Sequence, residues 1–377
     1  LQEARALRFL HTADIHLAKP FGRFDEETRV ALRAARLDAL GRIGEAARAH
    51  LAEFVLIAGD TFDAEAPPGK VIRRALDVIA RFDDVIWVLM PGNHDSLAAA
   101  GLWERLIADC PANLRLALTP EVIDVGDAAI LPAPPTVRHP GSDLTAWMTT
   151  AETGARFRIG LAHGRIRDFG TQDKTPDVIP PDRAELAGLD YLALGDWHGQ
   201  MQITPRTWYA GTPEPDSFKD HAPAGVLLVE IASPGDVPRV TPLPLGQYRW
   251  QALSLDMLAG SDPVAQLQRA LPQSDRDRAL VSVEATGRLG LQELSALRDA
   301  CAQMADAFHA FHAQLDGLGI EQNPDDLDMI AEGGALRAAA DSLFAATSLE
   351  GRSAENAEIA RIALTHLFHV ALEEQTP

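Results

Sequence analysis

The sequence predicts a mixed α/β protein: a two-sheet sandwich flanked by helices, then a small α/β unit and C-terminal helices. Three observations predict it. The first 95 residues alternate strand-like and helix-like segments, and beyond Asn113 the apolar runs shorten between Pro, Gly and Asp. Polar clusters follow directly on the apolar runs, as far as Gly199. A β-α-β-α-β order pairs as parallel strands through right-handed crossovers. The carboxyl edge of such a sheet is where ligands bind.

Residues 7–12 are a short apolar run that ends at Asp14 and His16. Residues 26–50, rich in Ala, Leu and Arg, have helical spacing. A second run, 54–58, ends at Gly59-Asp60; residues 70–82 read as another helix. The third strand, 85–90, ends at Pro91-Gly92-Asn93-His94-Asp95. Short strands fill 113–140, and longer ones are predicted over 156–162, 191–194 and 226–231. Two of these again end in polar clusters, at His163-Gly164 and at Gly195-Asp196-Trp197-His198-Gly199. The Pro-rich stretch 241–246 marks a boundary. After it come a strand (249–255), a helix (263–271), a strand (280–285), a helix (291–308) and a strand (312–320). Two helices, about 327–347 and 354–374, close the chain. The expected segments are 1–245, 246–322 and 323–377.

A length of 377 residues exceeds one ordinary domain of roughly 100–200. With 46% hydrophobic and 23% charged residues the chain is globular, which excludes wholesale disorder. No apolar run reaches the ~18 residues a membrane span needs, and the first residues lack a secretory apolar core. Two distant cysteines, Cys110 and Cys301, suit a reducing cytoplasm and exclude a disulfide scaffold. Net charge is −20, split as −9 over 1–245 and −11 over 246–377. Such a surface repels nucleic acid and lipid headgroups, and alone it favours an enzyme of small molecules. A basic patch or bound divalent metal overturns that argument.

Five clusters carry the chemistry: Asp14-x-His16, Gly59-Asp60-x-x-Asp63, Gly92-Asn93-His94-Asp95, His163 and Gly195-Asp196-x-His198. Each alone is weak, because Asp and Asn favour strand-exit turns anyway. Together they set carboxylates, an amide and imidazoles at strand ends, a donor set for divalent metals such as Mn, Fe or Zn. A carboxylate at Asp60 is placed to bridge two ions about 3.5–4 Å apart. The set resembles the calcineurin-like metallophosphoesterase superfamily. Residues 9–17 (FLHTADIHL), 59–63 (GDTFD), 191–195 (YLALG) and 209–213 (YAGTP) resemble its SbcD and YhaO type of DNA repair exonuclease.

That resemblance covers roughly residues 7–245 and implies a dinuclear phosphodiesterase acting on DNA, with Mn ahead of Fe, Zn or Mg. One ion would be held by Asp14, His16, Asp60 and His198; the second by Asp60, Asn93, His163 and the residue at 196. The family has His there, whereas this chain has Asp196. A metal-activated hydroxide would attack phosphorus in line, with His94 facing the scissile phosphate and Asp95 orienting His94 or capping the next helix. The small α/β unit over 246–322 is expected to cap the substrate groove, and the resemblance implies a coiled-coil ATPase of the SbcC or YhaN kind, docked through 323–377. A homodimer is compatible with it.

Around this set, Asp63 reads as a loop-shaping residue and His11 as a core histidine. Arg165, Arg167, Lys19 and Arg23 are candidate phosphate contacts. Trp197 is a candidate for stacking on a base or for packing in the wall. Two rival readings remain: a phosphomonoesterase or small phosphodiesterase with the same metals, and a non-catalytic scaffold for an ATPase with a degraded second site.

Overall fold

The structure is a computed structural model that describes residues 6–154, 156–166, 179–219, 224–321, 327–328, 330, 334–347 and 354–375. It divides into two compact units, Leu1–Arg249 and Trp250–Pro377.

In the first unit one six-stranded sheet holds β1 (Leu7–Thr12), β2 (Phe54–Ala58), β3 (Ile86–Met90), β4 (Leu114–Leu116), β11 (Gly225–Ile231) and β12 (Arg239–Pro244), ordered β12-β11-β1-β2-β3-β4. The second holds β5 (Ile123–Val125), β6 (Ala128–Ala133), β7 (Phe157–His163), β8 (Tyr191–Gly195), β9 (Met201–Thr204) and β10 (Thr207–Tyr209), ordered β5-β6-β7-β8-β10-β9. β1 to β4 run parallel, as do β6, β7, β8 and β10. The expected two-sheet α/β core is therefore present.

Period-two alternation explains how the sheets stack. Phe9, Phe54, Leu56, Val88 and Met90 of the first sheet share one buried cluster with Ile130, Ile159, Leu161, Tyr191 and Ala193 of the second. Phe9 and Phe54 stack there at 4.8 Å. The intervening residues Leu10, Val55, Ile57 and Leu89 face outward. They are covered by α1 (Glu26–Ala49), α2 (Gly69–Ala80) and α3 (Ala100–Ala108), while the short α4 (Arg183–Leu186) precedes β8. Asp25 caps α1 by accepting from Thr28 N at 2.9 Å, and Glu26 and Glu27 favour its first turn.

The Pro-rich stretch read as a boundary belongs to a strand. β12 pairs antiparallel with β11, Pro242 opposite Leu227 and Pro244 opposite Gly225. Proline donates no N–H and is tolerated at a sheet edge, and β12 is an edge. β9 and β10 were also not separated in the sequence.

The second unit contains a three-stranded sheet, β13 (Arg249–Met257), β14 (Ala279–Leu289) and β15 (Ala310–Ile320), in that order. α5 (Pro263–Ala270) and α6 (Leu291–Ala305) pack on it through Leu267, Leu294 and Leu297. α7 (Gly334–Ala346) and α8 (Ala354–Gln375) contribute Ala340, Leu364 and Phe368 to a further cluster. Among the described residues no helix is long and apolar enough to cross a membrane.

Candidate metal centre

The loops after β1 and β2 are laced together by their backbones. Asp14 N donates to Gly59 O at 3.1 Å, His16 N to Asp60 O at 3.0 Å and Leu17 N to Thr61 O at 2.9 Å. Asp14, His16, Asp60 and Asp196 take positive φ values of 53°, 47°, 52° and 101°. That conformation is costly for a residue with a Cβ, and such strain gathers where a site dictates it. Glycines make the room. A Cβ on Gly92 would lie 2.0 Å from Asp60 Oδ1, and one on Gly59 (φ 88°) would lie 2.3 Å from His163 Nδ1.

Three imidazoles each set Nδ1 beside an oxygen. His163 Nδ1 lies 2.8 Å from Ala58 O, and a carbonyl only accepts, so this nitrogen donates. His198 Nδ1 lies 3.1 Å from Asp216 Oδ1, and His16 Nδ1 lies 3.1 Å from Asp63 Oδ1. With the Nδ1–H of His163 and His198 given to an oxygen, and His16 Nδ1 facing the Asp63 carboxylate, each Nε2 presents a lone pair to the interior. His16 Nε2 and His198 Nε2 are then 3.2 Å apart, an arrangement that repels unless a proton or cation sits between them. Asp60 Oδ2 lies 3.7 Å from His16 Nε2 and 3.5 Å from His163 Nε2, while Asp60 Oδ1 accepts from His94 N at 2.8 Å.

The carboxylates crowd one another. Burial, with Asp60 and Asp196 nearby, pushes the Asp14 carboxyl up to about 7 against the pull of His163 and His198. Burial also opposes ionisation of Asp60, yet His163 and His16 hold its carboxyl below the usual range. His16 is driven down to about 4, chiefly by burial, with Asp63 resisting. His163 is desolvated too, but Asp60 raises it well above the ordinary imidazole value. A proton and a cation therefore compete for its Nε2.

The remaining predicted residues fall as follows. Asp196 N donates to both Asp14 oxygens, at 3.2 and 3.1 Å, and Asp196 Oδ1 accepts from Asn93 Nδ2 at 2.8 Å. His94 is half-buried; its Nδ1 donates to Asp63 O at 3.0 Å and its ring meets His16 edge-on at 4.9 Å. Asp95 corrects an expectation, since it neither orients His94 nor caps α3. It is fully buried and accepts from Gly92 N at 2.6 Å and Phe62 N at 3.0 Å, clamping two loops. Neighbouring side chains on a turn point apart, and the carbonyl of Asp63 does the orienting.

Lys19, half-buried, and Arg23, exposed, each have neighbours within the chain. Lys19 Nζ pairs with Asp216 Oδ2 at 2.8 Å, and the Arg23 guanidinium lies 5.0 Å from both the Phe24 and Phe218 rings. Arg165 is exposed, whereas Arg167 lies outside the described residues. Trp197 is 53% exposed and is not wall packing.

Sequence reading missed Asp216 and Arg36. Burial pushes the Asp216 carboxyl up, but its bond to His198 and the charges of Arg36 and Lys19 hold it below the usual range. Fully buried Arg36 reaches Asp216 at 3.3 Å and donates to the carbonyls of Ile15 and Glu214. The available signal was position, since Asp216 follows the 209–213 motif by three residues.

These donors fit divalent cations. His163 Nε2 and Asn93 Oδ1 are buried with no hydrogen-bond partner. Ligand atoms lie within 4.8 Å of one another in three groups: Asp14, His16 and His198; Asp14, Asp60 and His163; His16, Asp63 and His94. Asp14 is common to the first two, so it shares with Asp60 the place between the halves.

Residues 7–185 match the family model described as calcineurin-like phosphoesterase, a family that uses a dinuclear metal site. The chain is 24% identical over 246 residues to the uncharacterized metallophosphoesterase YhaO of Bacillus subtilis (strain 168), covering 61% of this chain and 59% of that one. It is 27% identical over 298 residues to the SbcD component of the nuclease SbcCD of Rhodobacter capsulatus, covering 63% and 69%. The SbcD component of Escherichia coli K12 is 34% identical over 94 residues, covering 24% and 22%. The chain thus spans less than two thirds of the YhaO length. The strand-end geometry and the family match agree: residues 7–185 form a calcineurin-like metallophosphoesterase domain.

Proposed function

We propose that this chain is a metal-dependent DNA phosphodiesterase of the DNA repair exonuclease type, working with two divalent ions, Mn2+ foremost. The observation that carries the reading is the convergence of His16, His163 and His198, each with Nδ1 beside an oxygen and Nε2 turned toward Asp14 or Asp60. Asp14, His16, Asp60 and His198 would hold one ion; Asp60, Asn93, His163 and Asp196 the other. When bound, the metals activate water and neutralise charge on the phosphoryl oxygens.

The protein supplies the remainder. Asp216 and Ala58 O keep the His198 and His163 rings from rotating, which preserves the donor directions, and the Asp63 carboxylate faces His16. His94, its Nδ1 committed to Asp63 O, keeps Nε2 as the atom that holds or releases a proton at the leaving oxygen. Asp95 fixes the loops that carry Asp60 and Asn93.

Similarity to one component of a nuclease named SbcCD supports DNA as substrate and a partner protein, a coiled-coil ATPase. Charge supports the partner as well, because −20 opposes tight unaided duplex binding. On α8, Ile359 and Ile362 are 58% and 52% exposed while Leu364 and Phe368 are buried, leaving an apolar face for that partner. The segment 246–322 then acts as the cap and 323–377 as the docking segment. Both cysteines are free, which supports a reducing, cytoplasmic setting.

The test is cleavage of single- and double-stranded DNA with Mn2+, by the chain alone and with its ATPase, beside Asp60→Asn. Wild type is expected to cut with two ions bound, and the variant to lose about a thousandfold in rate along with bound metal. Absence of metal-dependent cutting in every combination would overturn the nuclease reading.

A further inference from the structure

Next to the His163 side of the cluster lies a cleft of about 220 Å³, with Asn93, His163 and Asp196 on its inner wall. Ala133, Pro135, Leu144 and Ile179 give it apolar sides, and Arg138 and Arg165 also line it. Its outer wall is the segment following β6, and that segment is fixed. Leu97 N donates to Pro135 O at 3.1 Å, and Trp147 Nε1 to Pro132 O at 3.1 Å. Asp143 accepts from Thr145 N at 2.8 Å and is paired with Arg183.

Two features define what fits. The volume falls below the ~300–1,000 Å³ of pockets for drug-sized ligands, so it is sized for one flat ring with its sugar rather than for a base pair. Arg42, Arg183 and Arg206 of this unit are ion-paired, whereas Arg138 and Arg165 have no ion pair among the described residues. Two unpaired guanidiniums within an acidic unit are suited to phosphate, which they bind through two parallel N–H donors.

We propose that this cleft is a subsite for one unpaired nucleotide unit. Sugar and base rest on the apolar sides, and the phosphate beyond the scissile one is taken by Arg138 and Arg165. This rests on the phosphodiesterase reading and narrows its substrate to a single-stranded end or a frayed terminus.

The experiment compares wild type with the double variant Arg138→Ala/Arg165→Ala, whose positions are exposed. Thymidine 3′,5′-bisphosphate is titrated by calorimetry with Mn2+ present, and kcat/KM is measured for the dinucleotide pdTpdT and for bis(4-nitrophenyl) phosphate. The subsite predicts at least tenfold weaker bisphosphate binding in the variant. It also predicts at least a tenfold fall in the ratio of kcat/KM for pdTpdT over the nitrophenyl diester. An unmoved dissociation constant with an unmoved ratio overturns it. If wild type turns over neither substrate, the phosphodiesterase reading fails, and the bisphosphate titration decides the subsite alone.

Discussion

On one side of the metal centre His198 leans on Asp216, and Asp216 leans on buried Arg36 and on Lys19. On the other side His163 leans on the neutral carbonyl of Ala58, while Asp196 and Asn93 hold each other. The first half is an ionic chain that runs from the loop after β8 down into α1. The second is set by strand register, since His163 stands opposite Gly195 and its ring donates to the last residue of β2. A half built from backbone tolerates side-chain exchange nearby. A half built from buried charges does not, because removing one partner strands the others.

Neutralising one carboxylate in each half puts this distinction under the most severe test. Asp216→Asn should lower metal affinity and activity by up to about 100-fold, the usual scale for a residue that orients a ligand. Asp196→Asn should cost less, since Asn93 and the Asp196 backbone N–H keep their places. Mn2+ dependence of kcat/KM on a nitrophenyl diester, beside metal counting, reads both; the opposite order would discard the distinction.

Next in size is Asp95→Ala, which strips an acceptor from Gly92 N and Phe62 N at once. Stability should fall by about 2 kcal/mol, seen as a lower denaturant midpoint, because buried donors lose a carboxylate partner. Both halves should weaken together, in contrast to the first pair of variants.

A change outside both halves should matter least. Burial drives His11 down from 6.5 to about 3, and its Nδ1 lies 2.9 Å from the Tyr191 hydroxyl. Between those pH values the unfolded chain binds the extra proton, so stability that is full above pH 6.5 is lost as pH falls toward 3. His11→Leu should flatten the fall by about 1 kcal/mol per pH unit between pH 6 and 4, measured by denaturant unfolding. An unchanged slope would mean that the acid sensitivity arises elsewhere.

The parts legible in the sequence were those written locally. β1, β2 and β3 are apolar runs that stop at Gly, Asp or Asn, so each strand advertises both its length and its polar exit. β12 was hidden because Pro242 and Pro244 imitate a linker, and only its edge position reconciles them with a strand. β9 and β10, of four and three residues, are too short to stand out. At the centre, clustered Asp, Asn and His residues were visible, but their supports were not. Arg36 and Asp216 are 180 positions apart, and nothing in an Ala-rich helix marks one arginine as the counterion of a distant loop. Asp95 misled through adjacency, since sitting beside His94 in sequence implied contact that the turn prevents.

The left-handed backbone at Asp14, His16, Asp60 and Asp196 governs how the centre ought to be dissected. A threonine or valine there would buckle its loop before any change in reactivity could be read, since branched side chains fit that conformation worst. Asparagine keeps a short polar group at home in the same torsions, so a panel of asparagines separates the loss of charge from the loss of shape.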